Sequence, residues 1–310
     1  MDSRIELRHL RYFVAVAEEL HFGRAARRLR IAQPALSQQI RRLEGFIGAA
    51  LFERTSRSVR LTAAGEAFLP RADALLGRLS ADVAETGRIA RGEAGRLDIA
   101  FISSAAGPMS SALLAFTADR PEVRIRLQEG FTSTTLDRLQ RAAADVGFVR
   151  DAEERNGISL TTLLAEPFVA VLPITHPSAA RPAVEAAQLA GSPLVLFPAR
   201  AGAHAHAVNL QPFREAALEP DIAFEGSEWN TILHLVSARL GVTIAPRSAA
   251  RPLPAGTVAI PLTGTDARST VQLATRAEDD RPLVRQFGTI ATTMIDAARH
   301  LPGRHPVDAT

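Results

Sequence analysis

The chain has 310 residues, a formal net charge of +3 and no cysteine, and its apolar content of 46% is ordinary for a globular protein with more than one sizeable core. No run approaches the ~18 uninterrupted apolar residues of a membrane span, and without cysteine neither a disulfide nor a thiolate metal site can form. Asp2, Glu6 and Arg8 interrupt a secretory start, so cytoplasmic residence is expected. The charge is segregated: residues 1–62 carry twelve Arg against six acids, a balance of +6, and the other 248 residues carry −3. A basic N-terminal module suits a polyanion, and a mildly acidic remainder does not.

In chain order, Leu7, Leu10, Phe13, Val14 and Ala17 give a first, supporting helix. Phe22, Ala25, Ala26 and Leu29 recur at i, i+3, i+4 and i+7, one face of a second helix. Residues 31–33 break that pattern, and Pro34 opens a third helix where its missing N–H costs nothing. There Leu36, Ile40, Leu43 and Ile47 form the buried stripe. At 100° per residue Gln38, Arg41 and Arg42 point the other way, with Gln33, Pro34 and Ser37 at the leading end. A core-facing helix needs no such display of donors. A helix in a major groove does, because Gln and Arg make paired hydrogen bonds to base edges. The stretch reads as a helix-turn-helix.

Residues 52–54 and 59–61 then read as two short strands joined through Ser56, Arg57 and Ser58, a wing that places Arg54, Arg57 and Arg60 at flanking phosphates. A solvated arginine hairpin is the plainer alternative. Thr62 reads as the N-cap of a helix running to about Arg91. Its apolar residues Leu69, Ala72, Leu76, Leu79 and Val83, continued by Thr86 and Ala90, keep a 3.5-residue period, the seam of a coiled coil with a second copy. The alternative is packing on its own C-terminal domain. Pro70 is expected to kink the first turns.

Residues 92–95 form a hinge, after which strand-like runs (99–102, 123–127, 146–149, 168–172, 194–197) alternate with helical ones (109–118, 136–142), which implies α/β units with parallel strands. A helix over 229–240, strands over 242–245 and 269–275, a final helix over 283–298 and a tail over 302–310 complete the chain. Two places after strands suit a small molecule. Ser103 and Ser104 follow the first strand, with small Ala105, Ala106 and Gly107 beside them. Four hydroxyls, residues 132–135, follow the second. Together they suit a carboxylate, although Ser and Thr cap helices in any protein. Arg150, ending the third strand, is either an anion's charge partner or an exposed strand-end charge. Trp229 lines a cleft or simply packs. His204 and His206 stand two apart with no visible third ligand, so no metal and no cofactor are expected.

The region 22–54 resembles the DNA-binding signature of LysR-type transcriptional regulators: Ala25, Ala26 and Leu29, then Gln33-Pro34-Ala35-Leu36-Ser37, Gln39-Ile40-Arg41, Leu43-Glu44, Gly48, Leu51-Phe52 and Arg54. The opening Leu7-Arg8-His9-Leu10-Arg11-Tyr12-Phe13 is similar to the family's first helix. The resemblance is strong over residues 7–95 and continues more weakly to about residue 300. Ala32 departs from it, standing where the family often has Ser or Thr, and so does Arg239, in place of a small residue before Leu240-Gly241. The resemblance implies an all-α winged helix-turn-helix domain (1–62), a linker and dimerisation helix with its hinge (63–94), and an α/β effector domain of two lobes like a periplasmic binding protein (95–300). Lobe one would comprise 95–163 and 268–300, lobe two 164–267, with crossings near 160–165 and 262–268. It further implies that Ser103 or Ser104 and Thr132 hold an effector carboxylate, as in members responsive to aromatic acids or muconate, and that Phe197 and Pro198 form the facing wall. Implied partners are a palindromic double-stranded operator, a small organic acid, a second copy in a homodimer or homotetramer, and RNA polymerase.

Rival readings fare worse. A solute receptor would need an export signal, and an enzyme would need a nucleophile–base pair, paired carboxylates or a phosphate-cradling glycine loop, none of which stands in convincing context. A purely architectural DNA-binding protein would not require over two hundred residues of α/β sensor.

Overall fold

The computed structural model describes residues 5–55 and 58–300, so Arg57 and the tail expected over 302–310 lie outside the described residues. Contacts divide the chain into two units, one up to Arg88 and one from Ile89 onward.

In the first unit helices α1 (Leu7–Glu19), α2 (Phe22–Leu29) and α3 (Gln33–Ile47) close around Phe13, Val16, Ala25, Leu36, Ile40 and Leu43. The α2–α3 turn is made by Arg30 in the left-handed region (φ +56°) and by the extended Ala32, after which Pro34 sits in the first turn of α3. Helix α3 thus starts at Gln33, one residue before its proline. At the other end of α2 the His21 ring caps the helix: Nδ1 accepts from the Gly23 and Arg24 N–H groups at 3.0 and 3.2 Å. Strands β1 (Phe52–Arg54) and β2 (Val59–Leu61) pair antiparallel as the wing, Glu53 opposite Arg60.

Helix α4 (Ala63–Arg91) runs as one helix through Pro70. Thr62 Oγ1 accepts from the Gly65 N–H at 3.0 Å, an N-cap, and donates to the Ala50 carbonyl at 2.7 Å. A Cβ on Gly65 would stand 2.1 Å from the Leu51 carbonyl oxygen, so only glycine lets α4 begin this close to the wing. The expected seam is corrected at Ala72. That residue is fully buried in the first unit's own core, with Leu69 and Leu76 packed against the same cluster. A 3.5-residue stripe shows that a face is apolar but not which surface meets it. Beyond that core, Leu75 and Val83 leave 55% and 64% of their surface exposed.

The second unit comprises β3 (Gly95–Phe101), α5 (Ala106–Ala118), β4 (Val123–Glu129), α6 (Thr132–Gln140), β5 (Val146–Arg150), β6 (Ile158–Pro173), β7 (Val184–Glu185), β8 (Leu194–Leu196), α7 (Ala203–Asn209), α8 (Gln211–Glu215), β9 (Ile222–Glu225), α9 (Trp229–Ser237), β10 (Thr243–Pro246), β11 (Thr257–Thr263), β12 (Arg268–Arg276) and α10 (Pro282–His300). Its main sheet has the order β4-β3-β5-β12-β6-β11-β7, with β10 also on β6. Strands β3, β4 and β5 are parallel, but β12 is antiparallel to both β5 and β6, so the sheet is mixed rather than purely parallel. The reason is β6. Its first part pairs with β12 as far as Pro167, and the remainder pairs with β10 and β11, carrying one sheet from lobe to lobe.

Alternation along the strands feeds two layers in each lobe. In lobe one Leu97, Ile99, Val146 and Phe148 face α5 and α10, where Phe287 stacks edge-on against Phe116 and Phe148, while Ala100 and Val149 face α6. In lobe two Phe168, Ala170 and Leu172 face one cluster, and Val169 and Val171 face α9 through Ile232 and Val236. Arg239, one of the two departures from the family pattern, takes a left-handed φ of +64° just beyond α9, where Gly or Asn is the usual residue.

The β12–α10 connection is locked electrostatically. Asp279 accepts from Arg281 Nε at 2.8 Å and from Arg276 Nη2 at 2.5 Å, and Asp145 accepts from Arg281 Nη2 at 2.5 Å. The Arg281 hydrogen bond, chiefly, holds the Asp279 carboxyl down at about 2. A depressed carboxyl adds stability above its unfolded value near 3.8 and loses it as pH falls toward 2. Asp279→Asn is therefore expected to cost roughly 1–2 kcal/mol at neutral pH. In urea unfolding followed from pH 5 to pH 2, the gap to the parent protein should close below pH 4; a gap independent of pH would contradict this.

Candidate functional site

Two surfaces carry the chemistry expected from the sequence. On the first unit, burial of Leu36, Ile40 and Leu43 turns the opposite face of α3 outward: Gln33, Pro34, Gln38, Arg41 and Arg42 are exposed and Ser37 is half-buried. No side chain of Gln33, Gln38, Arg41 or Arg42 has a hydrogen-bond or ion-pair partner among the described residues, in contrast to Arg24 and Arg28, which pair with Glu19 and Glu18. Arg60 is exposed on the wing. Arg54 is a correction. Its guanidinium bonds Glu44 at 2.8 Å and lies 4.7 Å over the Phe22 ring. Glu44 also accepts from the Leu51 and Phe52 N–H groups at 3.0 and 3.2 Å. Arg54 thus fastens the wing to α3, and its charge is spent within the module.

On the second unit, a cleft with about 60 Å³ of free volume opens between the lobes. Its walls are the carboxyl ends of β3, β4, β5 and β8 together with the starts of α6 and α9, the position at which open α/β sheets hold ligands. Lobe one supplies Ser103, Ser104, Phe131, Thr132 and Arg150; lobe two supplies Phe197, Gly202, Glu228 and Trp229. The Phe197 ring stacks edge-on with Trp229 at 5.7 Å and with His206 at 5.8 Å, and His206 Nδ1 is 2.8 Å from the Phe197 carbonyl. His204 instead faces Glu153 at 3.2 Å. Pro198 is buried and absent from the lining; it follows Phe197 in extended chain, which turns it to the opposite side.

Hydroxyl protons decide what the cleft can still donate. Thr132 Oγ1 donates to the Arg150 carbonyl at 3.2 Å and accepts the Arg150 N–H at 3.3 Å, so its proton is committed. Ser103 Oγ donates to Glu228 Oε2. Ser104 Oγ accepts from Arg150 Nε at 3.2 Å and keeps its own proton.

Arg150 is neither an exposed strand-end charge nor a free anion partner. Its guanidinium is buried and meets Glu166 Oε1 at 2.8 Å, Ser269 Oγ at 2.9 Å, Ser248 Oγ at 3.1 Å and the Ser104 carbonyl at 3.1 Å. Glu166 and Glu228 escaped the sequence reading because their partners lie 16 and 125 residues away.

A helix-turn-helix with an unpaired display of Gln and Arg, on one chain with a two-lobed α/β domain that opens a cleft, defines a DNA-binding transcriptional regulator with an effector-binding domain. Residues 7–66 match the family described as bacterial regulatory helix-turn-helix protein, lysR family, and residues 90–294 match the LysR substrate binding domain. The chain belongs to the LysR family of bacterial transcriptional regulators, and is a regulator rather than an enzyme. It is 45% identical to the regulator YnfL of Escherichia coli K12, over 79% of this chain and 83% of that one. With the regulator AlsR of Bacillus subtilis it shares 34% identity, over 91% of this chain and 94% of that one. Full-length CbnR, solved in complex with its target DNA, superposes with a TM-score of 0.82 at 27% identity, covering 94% of this chain and all of that one. No described helix is long and apolar enough to cross a membrane.

Arg150→Met would strand the buried Glu166 carboxylate and is expected to cost about 3–5 kcal/mol. Arg150→Met/Glu166→Met should lose much less than the sum of the single losses in urea unfolding. Strictly additive losses would show that the two side chains do not act as a pair.

Proposed function

We propose that this regulator reads a palindromic operator with Gln33, Pro34, Ser37, Gln38, Arg41 and Arg42 in the major groove while Arg60, with Arg57 beside it, meets flanking phosphates. The supporting observation is that the side chains of Gln33, Gln38, Arg41 and Arg42 have no internal partners among the described residues, on a face that packing of the opposite stripe holds outward. CbnR, bound to its target DNA, provides a precedent with the same fold. The effector is a small organic acid lodged between the lobes, its body against Phe197 and Trp229 and its carboxylate near Ser103, Ser104 and the start of α6 at Thr132. Relatives named as activators of the hca operon and, as probable, of the cat1 operon match at 38% and 34% identity over 78% and 79% of this chain. Ligand entry shifts the closure of the lobes and thereby the spacing of two winged modules on DNA. The protein acts in the cytoplasm, where operator and RNA polymerase are found.

Selection of duplexes from a random pool tests the reading face. Gln38→Ala and Arg41→Ala should each relax preference at one or two positions by about ten- to hundredfold. Arg60→Ala should weaken all sequences alike and flatten the log–log salt slope by about 0.9. Unchanged sequence preference in both α3 variants removes them from base reading.

A second copy is proposed to pair along the outer stripe of α4, through Leu75 and Val83, whose apolar surface the first unit's own core leaves uncovered, with half-buried Leu79 between them. Leu75→Arg/Val83→Arg should shift sedimentation equilibrium toward monomer while the circular dichroism spectrum stays unchanged. An intact oligomer would place the seam elsewhere.

A further inference from the structure

Within the cleft, one contact crosses from lobe to lobe at the place a ligand would occupy. Ser103 follows β3 in lobe one, and Glu228 immediately precedes α9 in lobe two. Ser103 Oγ donates to Glu228 Oε2. Glu228 is the N-cap residue of α9 with extended backbone (φ −127°, ψ 147°), yet its side chain makes no capping bond to its own helix. It reaches across the cleft instead. Its second oxygen, Oε1, has no hydrogen-bond partner among the described residues.

The field at this spot favours negative charge. Helices α6 and α9 both begin in the cleft wall, each presenting the positive end of its dipole and N–H groups unsatisfied by its own turns. The one guanidinium in the lining, Arg150, is already neutralised by Glu166. The anion that answers this field in the present structure is Glu228 itself. It also has somewhere else to go: Glu228 lines an adjoining cavity of about 550 Å³, whose walls include Asn230, Thr231, Ser248 and Arg251 as well as Glu129.

We infer that Glu228 is an internal stand-in for the effector carboxylate, holding the Ser103 donor until a ligand takes it and drives the Glu228 side chain toward the adjoining cavity. The inference rests on the cleft being the effector site. Two carboxylates cannot share one hydroxyl proton, and at contact distance their repulsion adds to the competition. An incoming acid therefore breaks the Ser103–Glu228 bond between the lobes as it binds. Other polar contacts between the lobes, Ser133 Oγ with the Arg200 and Ala201 carbonyls, His204 with Glu153, and Arg150 with Glu166 and Ser248, involve neither Ser103 nor Glu228 and need not break. Glu228 thus makes binding selective as well as responsive: an acid without enough apolar body to press on Phe197 and Trp229 fails to displace it.

Trp229 is the single tryptophan of the chain, lines the cleft and adjoins Glu228, so its fluorescence reports ligands at this place. The test titrates full-length parent protein, Glu228→Gln, Glu228→Ala and Ser103→Ala/Glu228→Gln with benzoate at constant ionic strength, and with benzylamine as the oppositely charged match. Benzoate should bind both single Glu228 variants at least about tenfold more tightly than the parent, and removal of Ser103 should abolish most of that gain. Benzylamine should gain nothing. Equal or weaker benzoate binding by Glu228→Gln overturns the inference, as does benzylamine binding to the parent that is lost in the variant, which would make Glu228 a direct ligand contact. If neither probe disturbs Trp229 in any variant, the reading of the cleft as the effector site fails, and the inference fails with it.

Discussion

The two lobes meet over one buried ion pair, Arg150 with Glu166. Arg150 ends β5 in lobe one, and Glu166 lies on β6 just before that strand leaves β12 for β10 and β11. Such a pair is stable inside a protein only if nearly every remaining donor and acceptor is met, since desolvation otherwise exceeds the Coulomb gain. Here Nε, Nη1 and Nη2 of Arg150 all find acceptors, and both oxygens of Glu166 accept from Ser248, through its N–H at 2.7 Å and its hydroxyl at 2.6 Å. Ser269 is bridged in turn to Asp151 at 2.6 Å. The partners come from the loop after β3, from both crossing strands and from the turn after β10. The pair therefore fixes the pivot about which the lobes stand, and the floor of the cleft is set by it.

What was legible in the sequence follows from range. The helix-turn-helix, the wing and the Thr62 cap are local patterns, with apolar spacing and turn residues inside windows of about twenty positions. They appear in the structure within one or two residues of where spacing puts them. Cleft lining by Ser103, Ser104 and Thr132 was legible because strand ends in α/β sheets face the ligand side by topology, whereas Phe197 was reached only through the family resemblance. Strand β11 was hidden by Pro261, which reads as a breaker; it is tolerated because the β7 pairing begins only at Leu262, so its missing N–H breaks no ladder on that side. In the ten residues of β6 before Phe168 two threonines and Glu166 interrupt any two-residue alternation, so only the family resemblance placed a crossing there, near 160–165. The commitments of Arg54, Ala72, Arg150 and Glu228 had no local signature. Each depends on which distant element the fold brings alongside.

A single criterion separates side chains that hold this molecule together from those left for partners: whether the polar group is already satisfied. On the first unit Arg24, Arg28 and Arg54 are spent on Glu19, Glu18 and Glu44, whereas Arg41, Arg42 and Arg60 are unpaired among the described residues. Arginine count alone would rank all six alike as phosphate contacts. In the second unit the same accounting demotes Arg150 and the Thr132 hydroxyl, and it brings forward Ser104 and the Ser103–Glu228 contact. The two surfaces differ in how that readiness is kept. On α3 the free donors face water, so an operator exchanges hydration for base edges at little internal cost. In the cleft the field of two helix starts would leave an unanswered attraction for anions, and a carboxylate from the opposite lobe answers it. The sensor is thereby held in one arrangement by the same chemistry that a ligand would use to change it. A ligand can shift lobe closure only by as much as it binds the two arrangements differently, and exchanging one carboxylate for another at Ser103 supplies that difference at the point where the lobes touch.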